Sequence, residues 1–274
     1  CCLVGLLYKD IKMVYLVICT VALVVSALTL FSGFGLGTLL MPAFAIFFPL
    51  EVAVGATAIV HLANNMFKLV LVGRMTDIKI VLKFAIPASI MAVIGALLLN
   101  YFANVQPVTE YTLAGRLFTI TVVKLVIAVL IAAFAILELS PRFEKLSFDM
   151  KYIPLGGALS GFFGGLSGQQ GALRSAFLIR AGLNKEKFIG TSVVSAVVVD
   201  VSRLTVYGVT FFSKNFEILK NQVGIGLITA AILVAFLGSF IGSRLVKKIT
   251  MRTIQLIVGV LLLLISIALG VGVV

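Results

Sequence analysis

Ser32-Gly33-Phe34-Gly35-Leu36-Gly37-Thr38 and Ser167-Gly168-Gln169-Gln170-Gly171-Ala172 each interrupt an apolar stretch of this 274-residue chain. Lipid cannot satisfy the backbone N–H and C=O groups that such a break frees. A break therefore survives only where protein or a wet cavity covers it. A broken apolar helix at matching places in two halves is the pattern by which repeated transporters build a substrate site. The two strings predict a membrane transporter and mark where its site should lie.

The surrounding composition agrees. Hydrophobic residues make up 61% of the chain and charged residues 12%, with a mean hydropathy of +1.22. A soluble domain carries roughly twice that charged fraction. Met13–Phe31 and Thr253–Val274 hold no charged side chain, and each is near the ~20 residues that span a bilayer. A net charge of +12 would suggest nucleic acid in a soluble protein. Here the basic residues gather in short loops, which is a topology signal, so no nucleic-acid partner is expected. One His and three Cys (Cys1, Cys2, Cys19) have no metal-ligand spacing, and neither a metal nor a cofactor is called for. Cys1-Cys2 reads as a trimmed end rather than a lipidated one. Without Trp, the interface anchors expected are Tyr8, Tyr15, Tyr101, Tyr111 and Tyr207.

Five apolar elements recur in each half. They fall near 13–34, 37–48, 51–72, 80–103 and 115–138, then near 152–167, 172–181, 187–211, 221–243 and 253–274. The expected organisation is a tail (1–12), a first transmembrane repeat (13–138), a cytoplasmic linker (139–151) and a second repeat (152–274). The second element of each half is too short to cross alone, so broken or re-entrant short helices are expected. Aligning Ser32 with Ser167 pairs residues 32–69 with 167–204 without a gap. Glu51 then falls on Glu186, Gly55 on Gly190, Thr57 on Ser192, Asn65 on Asp200 and Lys68 on Arg203. Only five positions are identical, yet the break, the loop acid, the glycine and the late cation all coincide.

Loops 73–83, 139–151, 182–187 and 244–252 share one side and carry twelve Lys and Arg, against five on the other side. That asymmetry places the linker inside and both termini outside, with the halves inverted relative to each other. The fold class expected is an all-α polytopic membrane protein of two inverted-topology repeats.

Ionisable side chains within spans are expensive and are functional candidates by default. Arg174 follows Gly171 in the first turn of a short helix, where free N–H groups and the helix dipole already favour an anion. Its guanidinium adds bidentate recognition of an oxyanion. The candidate substrate-binding set is Ser32, Gly33, Gly35, Gly37, Thr38, Ser167, Gly168, Gln169, Gln170, Gly171 and Arg174. The glycines admit close backbone approach, although glycine also serves helix packing in membranes. The candidate coupling or gating set is His61, Asn65, Lys124, Asp200 and Arg203. Asp200 and Arg203 are expected to pair along one helix turn. Lys124 is expected to reach Asp200 across helices or to face the cavity. Lys68 is expected to snorkel at the inner end of its helix. His61 suits a proton switch or a satisfied hydrogen bond.

Two other classes compete. Gly165-Leu166-Ser167-Gly168 matches the G-x-S-G of rhomboid proteases, and His61…Asn65 their H-x-x-x-N. A rhomboid base lies on a span after the serine, and no histidine follows Ser167, so an enzyme is not expected. An anion channel would also use basic groups and helix ends, but inverted halves with broken helices favour alternating access.

With those residues in place, the chain resembles the TauE/SafE family of sulfite exporters. The resemblance covers nearly the whole chain. The family's breaks are similar to G-[IF]-G-G-G, matched by Gly33-Phe34-Gly35-Leu36-Gly37 and, with fewer glycines, by Gly165-Leu166-Ser167-Gly168-Gln169-Gln170-Gly171. Its "A-x-G-T-S"-like strings correspond to Ala53-Val54-Gly55-Ala56-Thr57 and Phe188-Ile189-Gly190-Thr191-Ser192. Met41-Pro42 fits the proline of its first short helix. The resemblance implies export of sulfite or a small organosulfonate such as sulfoacetate across the cytoplasmic membrane. The partners implied are a small anion, the lipid bilayer and, if transport is coupled, protons.

Overall fold

The computed structural model describes residues 2–29, 36–72, 75–113, 116–140, 148–212, 224–245 and 251–273. Ser32, Gly33 and Gly35 lie outside the described residues. Among the described residues ten α-helices stand in chain order: α1 (Cys2–Thr29), α2 (Leu36–Ala45), α3 (Leu50–Val72), α4 (Ile78–Ala103), α5 (Val122–Leu139), α6 (Ile153–Ser167), α7 (Gly171–Leu178), α8 (Lys185–Tyr207), α9 (Gly224–Leu245) and α10 (Met251–Gly270). Among the described residues, six helices are long and apolar enough to cross a membrane. The chain is an all-α polytopic membrane protein.

Local chemistry sets several of these boundaries. The Asp77 carboxylate accepts from the Lys79 and Ile80 amides and caps α4. Asn184 caps α8 through the Lys187 amide, and Thr121 caps α5 through the Lys124 amide. Each cap satisfies a donor that the helix start would otherwise leave unmet. α1 begins at Cys2, because the apolar run Leu3–Leu7 continues the helix into the stretch expected as a tail.

The fifth element starts later than its apolar content suggests. Strands β1 (Thr109–Leu113) and β2 (Arg116–Ile120) form an antiparallel hairpin in which Tyr111 stacks on Phe118. Alternating Thr, Tyr and Phe residues suit a pleated pair better than a helix. The Tyr111 hydroxyl donates to the Val271 carbonyl, so the hairpin closes over the end of α10.

α2 and α7 have ten and eight residues, so their lengths are only about 15 Å and 12 Å. Neither crosses a hydrocarbon core of about 30 Å. All ten residues of α2 are buried.

The helices pair reciprocally between halves. α6 runs along α4 in the same direction, with Gly157, Gly161 and Gly165 against the carbonyls of Phe84, Ala88 and Ala92. A Cβ on any of the three would come within about 2 Å of that oxygen (2.1, 2.0 and 2.1 Å). α9 runs along α1 in the same way, with Gly238 and Gly242 against the carbonyls of Leu23 and Ala27. α5 and α10 run antiparallel, Gly259 meeting Leu139 and Gly270 meeting Ala128. Small residues let backbones approach closely where no hydrophobic drive separates helix from lipid.

Two apolar cores result. One joins α1, α2, the first half of α3, α5, α9 and α10, and takes in Ala96 and Leu99 of α4, Leu166 of α6 and Tyr207 of α8. The other joins α4, α6, α7 and α8 through Ile80, Phe84, Ala88, Ile153, Phe177, Leu178 and Val199. Polar residues of α3 and α8 meet between them.

Replacing Gly161 by valine should force two backbones apart, at a cost of about 3 kcal/mol or more. Gly208→Ala adds its methyl to open space and serves as control. Thermal unfolding in detergent should show a large loss for Gly161→Val and almost none for Gly208→Ala.

Candidate functional site

Asp200 is fully buried on α8 and organises the polar centre. Its Oδ1 accepts from Gln170 Nε2 at 2.9 Å and from Arg203 Nε and Nη2 at 3.1 and 2.7 Å. Its Oδ2 takes His61 Nδ1 at 2.6 Å and Asn65 Nδ2 at 3.1 Å. Both oxygens are thus committed, which is what a carboxylate at membrane depth requires. Arg203 sends its remaining arm to the Gly164 carbonyl at 3.1 Å. The Tyr207 hydroxyl donates to the Gly165 carbonyl, so Tyr207 is a buried anchor and not an interface residue.

Helical spacing explains the convergence. His61, Asn65 and Lys68 stand at i, i+4 and i+7 on α3, while Asp200, Arg203 and Tyr207 stand at i, i+3 and i+7 on α8. Each triplet shares one helix face. The two faces meet, and the Asp77 amide donating to Thr191 Oγ1 at 3.0 Å pins the α3–α4 turn to the start of α8.

The second break closes the cluster from the other side. α6 ends at Gly168 in the left-handed conformation, φ 81°, which a residue without Cβ adopts at little cost. Gln170 then precedes α7, its carbonyl held by Ser160 Oγ at 2.8 Å. Its side chain bridges, because Oε1 accepts from Arg174 Nη1 at 3.0 Å while Nε2 serves Asp200. Arg174 Nε donates to Ser192 Oγ at 2.8 Å. Gln169 is buried, and its Nε2 has no hydrogen-bond partner among the described residues. The first break reaches the same place: a Cβ on Gly37 would lie 3.2 Å from the Gly168 carbonyl and 3.6 Å from His61 Cδ2.

The described residues at the centre include the buried cations Lys68, Arg174 and Arg203 and the buried carboxylate of Asp200. A buried cluster of cations beside a helix N-terminus is suited to holding a small anion.

A protein-family model described as sulfite exporter TauE/SafE matches residues 18–269. The chain belongs to the TauE/SafE family. No curated protein and no solved structure matches it.

Within this TauE/SafE chain the expected site residues sort clearly. Gly37, Gly168, Gln170, Arg174, His61, Asn65, Asp200 and Arg203 come together, and Thr38 and Gly171 are buried at the starts of α2 and α7. Ser167 turns away, its hydroxyl donating to the Phe163 carbonyl one turn back at 3.0 Å. His61 is engaged with Asp200, so these residues form no serine–histidine pair. Lys124 does not reach Asp200. It lies in the first turn of α5, where Nζ donates to the Thr119 carbonyl at 3.1 Å and feels the charge of Glu51. Lys68 does not snorkel, since it is only 7% exposed.

The reading by sequence overlooked Ser192 as the acceptor for Arg174, Gln170 as a bridge, and the bond from Ser239 Oγ to Asn64 Oδ1 at 2.8 Å. Ser192 had a signal, because it is the repeat counterpart of Thr57 and ends the Gly190-Thr191-Ser192 string.

Asp200→Asn should cost about 3–5 kcal/mol, because it strands a buried guanidinium. The double variant Asp200→Asn with Arg203→Met should recover most of that loss. Thermal unfolding of the two purified proteins reads the difference.

Proposed function

We propose that this chain exports sulfite or a small organosulfonate such as sulfoacetate by alternating access. The reading rests on one observation above all. Arg174, buried in the first turn of α7, stands beside the second break, where the Gln169 amide has a donor to spare. The substrate oxyanion would take up that donor, the first-turn amides of α7 and the Arg174 guanidinium, which keeps its bonds to Ser192 and Gln170. Membership in a family of sulfite exporters supports the substrate class.

The two halves are inverted repeats in this reading. Helix 1 of each half packs on helix 4 of the other, and the fifth helices of the two halves run antiparallel. Asn65 and Asp200, matched by the repeat, touch at 3.1 Å, as residues beside a two-fold axis do. The bodies that move are then the two apolar cores and not the two sequence halves, because the glycine seams lock each first helix to the opposite half. Motion between the cores would open the polar centre to either side in turn. In this reading the linker lies on the cytoplasmic side of the cytoplasmic membrane and both termini outside, which the basic loops support.

An inside-negative potential favours outward movement of an anion by about 2.3 kcal/mol per charge per 100 mV, so export needs no second ion. His61 bound to Asp200 is the group through which a proton could be coupled. Purified protein in liposomes loaded with radiolabelled sulfite should release it, faster with the potential negative inside. Arg174→Gln should slow release about tenfold or more, the effect of losing a charge-assisted hydrogen bond. Release at the wild-type rate would remove Arg174 from the mechanism. Liposomes that release neither sulfite nor sulfoacetate would remove this substrate class.

A further inference from the structure

The repeat alignment exposes an asymmetry in charge. In the second half, Arg203 has its carboxylate three residues earlier, Asp200, at 2.7 Å. In the first half the matching cation is Lys68, and the matching position three residues earlier holds the neutral Asn65. Lys68 has no hydrogen bond or ion pair among the described residues, although it is only 7% exposed. Asp200 cannot serve it, because both carboxylate oxygens are engaged by His61, Asn65, Gln170 and Arg203. Lys68 shares its face of α3 with His61 and Asn65, which contact Asp200, and Gln170 bridges Asp200 to Arg174.

An uncompensated ammonium at membrane depth is costly. Two repeats that each need an acid for their late cation have only one between them. We infer that Lys68 is a second substrate-binding cation, and that the ligand supplies the negative charge that Asn65 lacks. The site then takes a small dianion, sulfite in its fully ionised form or sulfoacetate with its sulfonate and carboxylate, shared between Lys68 and Arg174. Thr57, whose buried hydroxyl has no hydrogen-bond partner among the described residues, lies on the same helix three turns earlier and is the repeat counterpart of Ser192. This inference rests on the anion-exporter reading and adds a charge requirement to it.

The test is thermal stabilisation of the purified protein at mildly alkaline pH by sulfite, sulfoacetate and the monoanion methanesulfonate. Wild type should be stabilised by the dianions well beyond methanesulfonate, since a ligand of the folded state raises apparent stability by mass action. Lys68→Met should melt higher than wild type without ligand, because an unmatched buried charge is gone. It should also bind the dianions about tenfold or more weakly, whereas Lys68→Arg should retain them. Lower intrinsic stability of Lys68→Met, or its failure to fold, would make Lys68 a structural residue and overturn the inference. Dianion binding that persists in Lys68→Met but is lost in Arg174→Gln would overturn it while leaving the exporter reading intact. Equal stabilisation by methanesulfonate would overturn the charge requirement. A wild-type protein that responds to no anion would overturn the exporter reading and the inference together.

Discussion

The carboxylate of Asp200 is the constraint on which the rest depends. A bare carboxylate at the depth of a lipid bilayer would be prohibitive, so every hydrogen-bonding direction it has is answered. His61 and Asn65 answer from α3, Arg203 from its own helix and Gln170 from the second break. Those partners come from both halves of the chain and from both apolar cores. Holding Asp200 therefore fixes the crossing of α3 on α8 and the position of the break. Through Gln170 it also fixes where Arg174 points.

The glycine seams supply the frame within which that centre can exist. Close approach of α6 to α4 and of α9 to α1 excludes lipid and water along both seams. Each seam joins a first helix to the fourth helix of the other half, so the sequence halves interlace. The polar centre lies where α3 and α8 cross between these seams.

Much of this was legible in the sequence. Hydropathy and the two breaks located the ten helices to within a few residues, apart from the start of α1, which lies well before the expected residue 13, and the start of α5. There Leu117, Phe118 and Ile120 look like the beginning of a span, and their pairing with Thr112, Tyr111 and Thr109 makes a hairpin of them. The pairing of Asp200 with Arg203 was visible from their spacing. The fate of Lys68 was not, because nearness to a helix end says nothing about which face the side chain occupies. Its spacing from His61 and Asn65 carried that information. The glycines of the second break were legible as one motif but serve two purposes. Gly165 makes room for α4, whereas Gly168 takes the left-handed turn that starts the site. A linear motif cannot separate close packing from ligand approach, since both need the same missing Cβ.

The central claim is that a small oxyanion sits against the second break, at Arg174. Selenite is a heavier analogue of sulfite, and its selenium can be located by anomalous scattering in crystals grown with it. The account predicts a selenium peak within hydrogen-bond reach of the Arg174 guanidinium and the Gln169 amide, absent from Arg174→Gln crystals. Selenium found only at the basic loops outside the helices, with the centre empty, would contradict it.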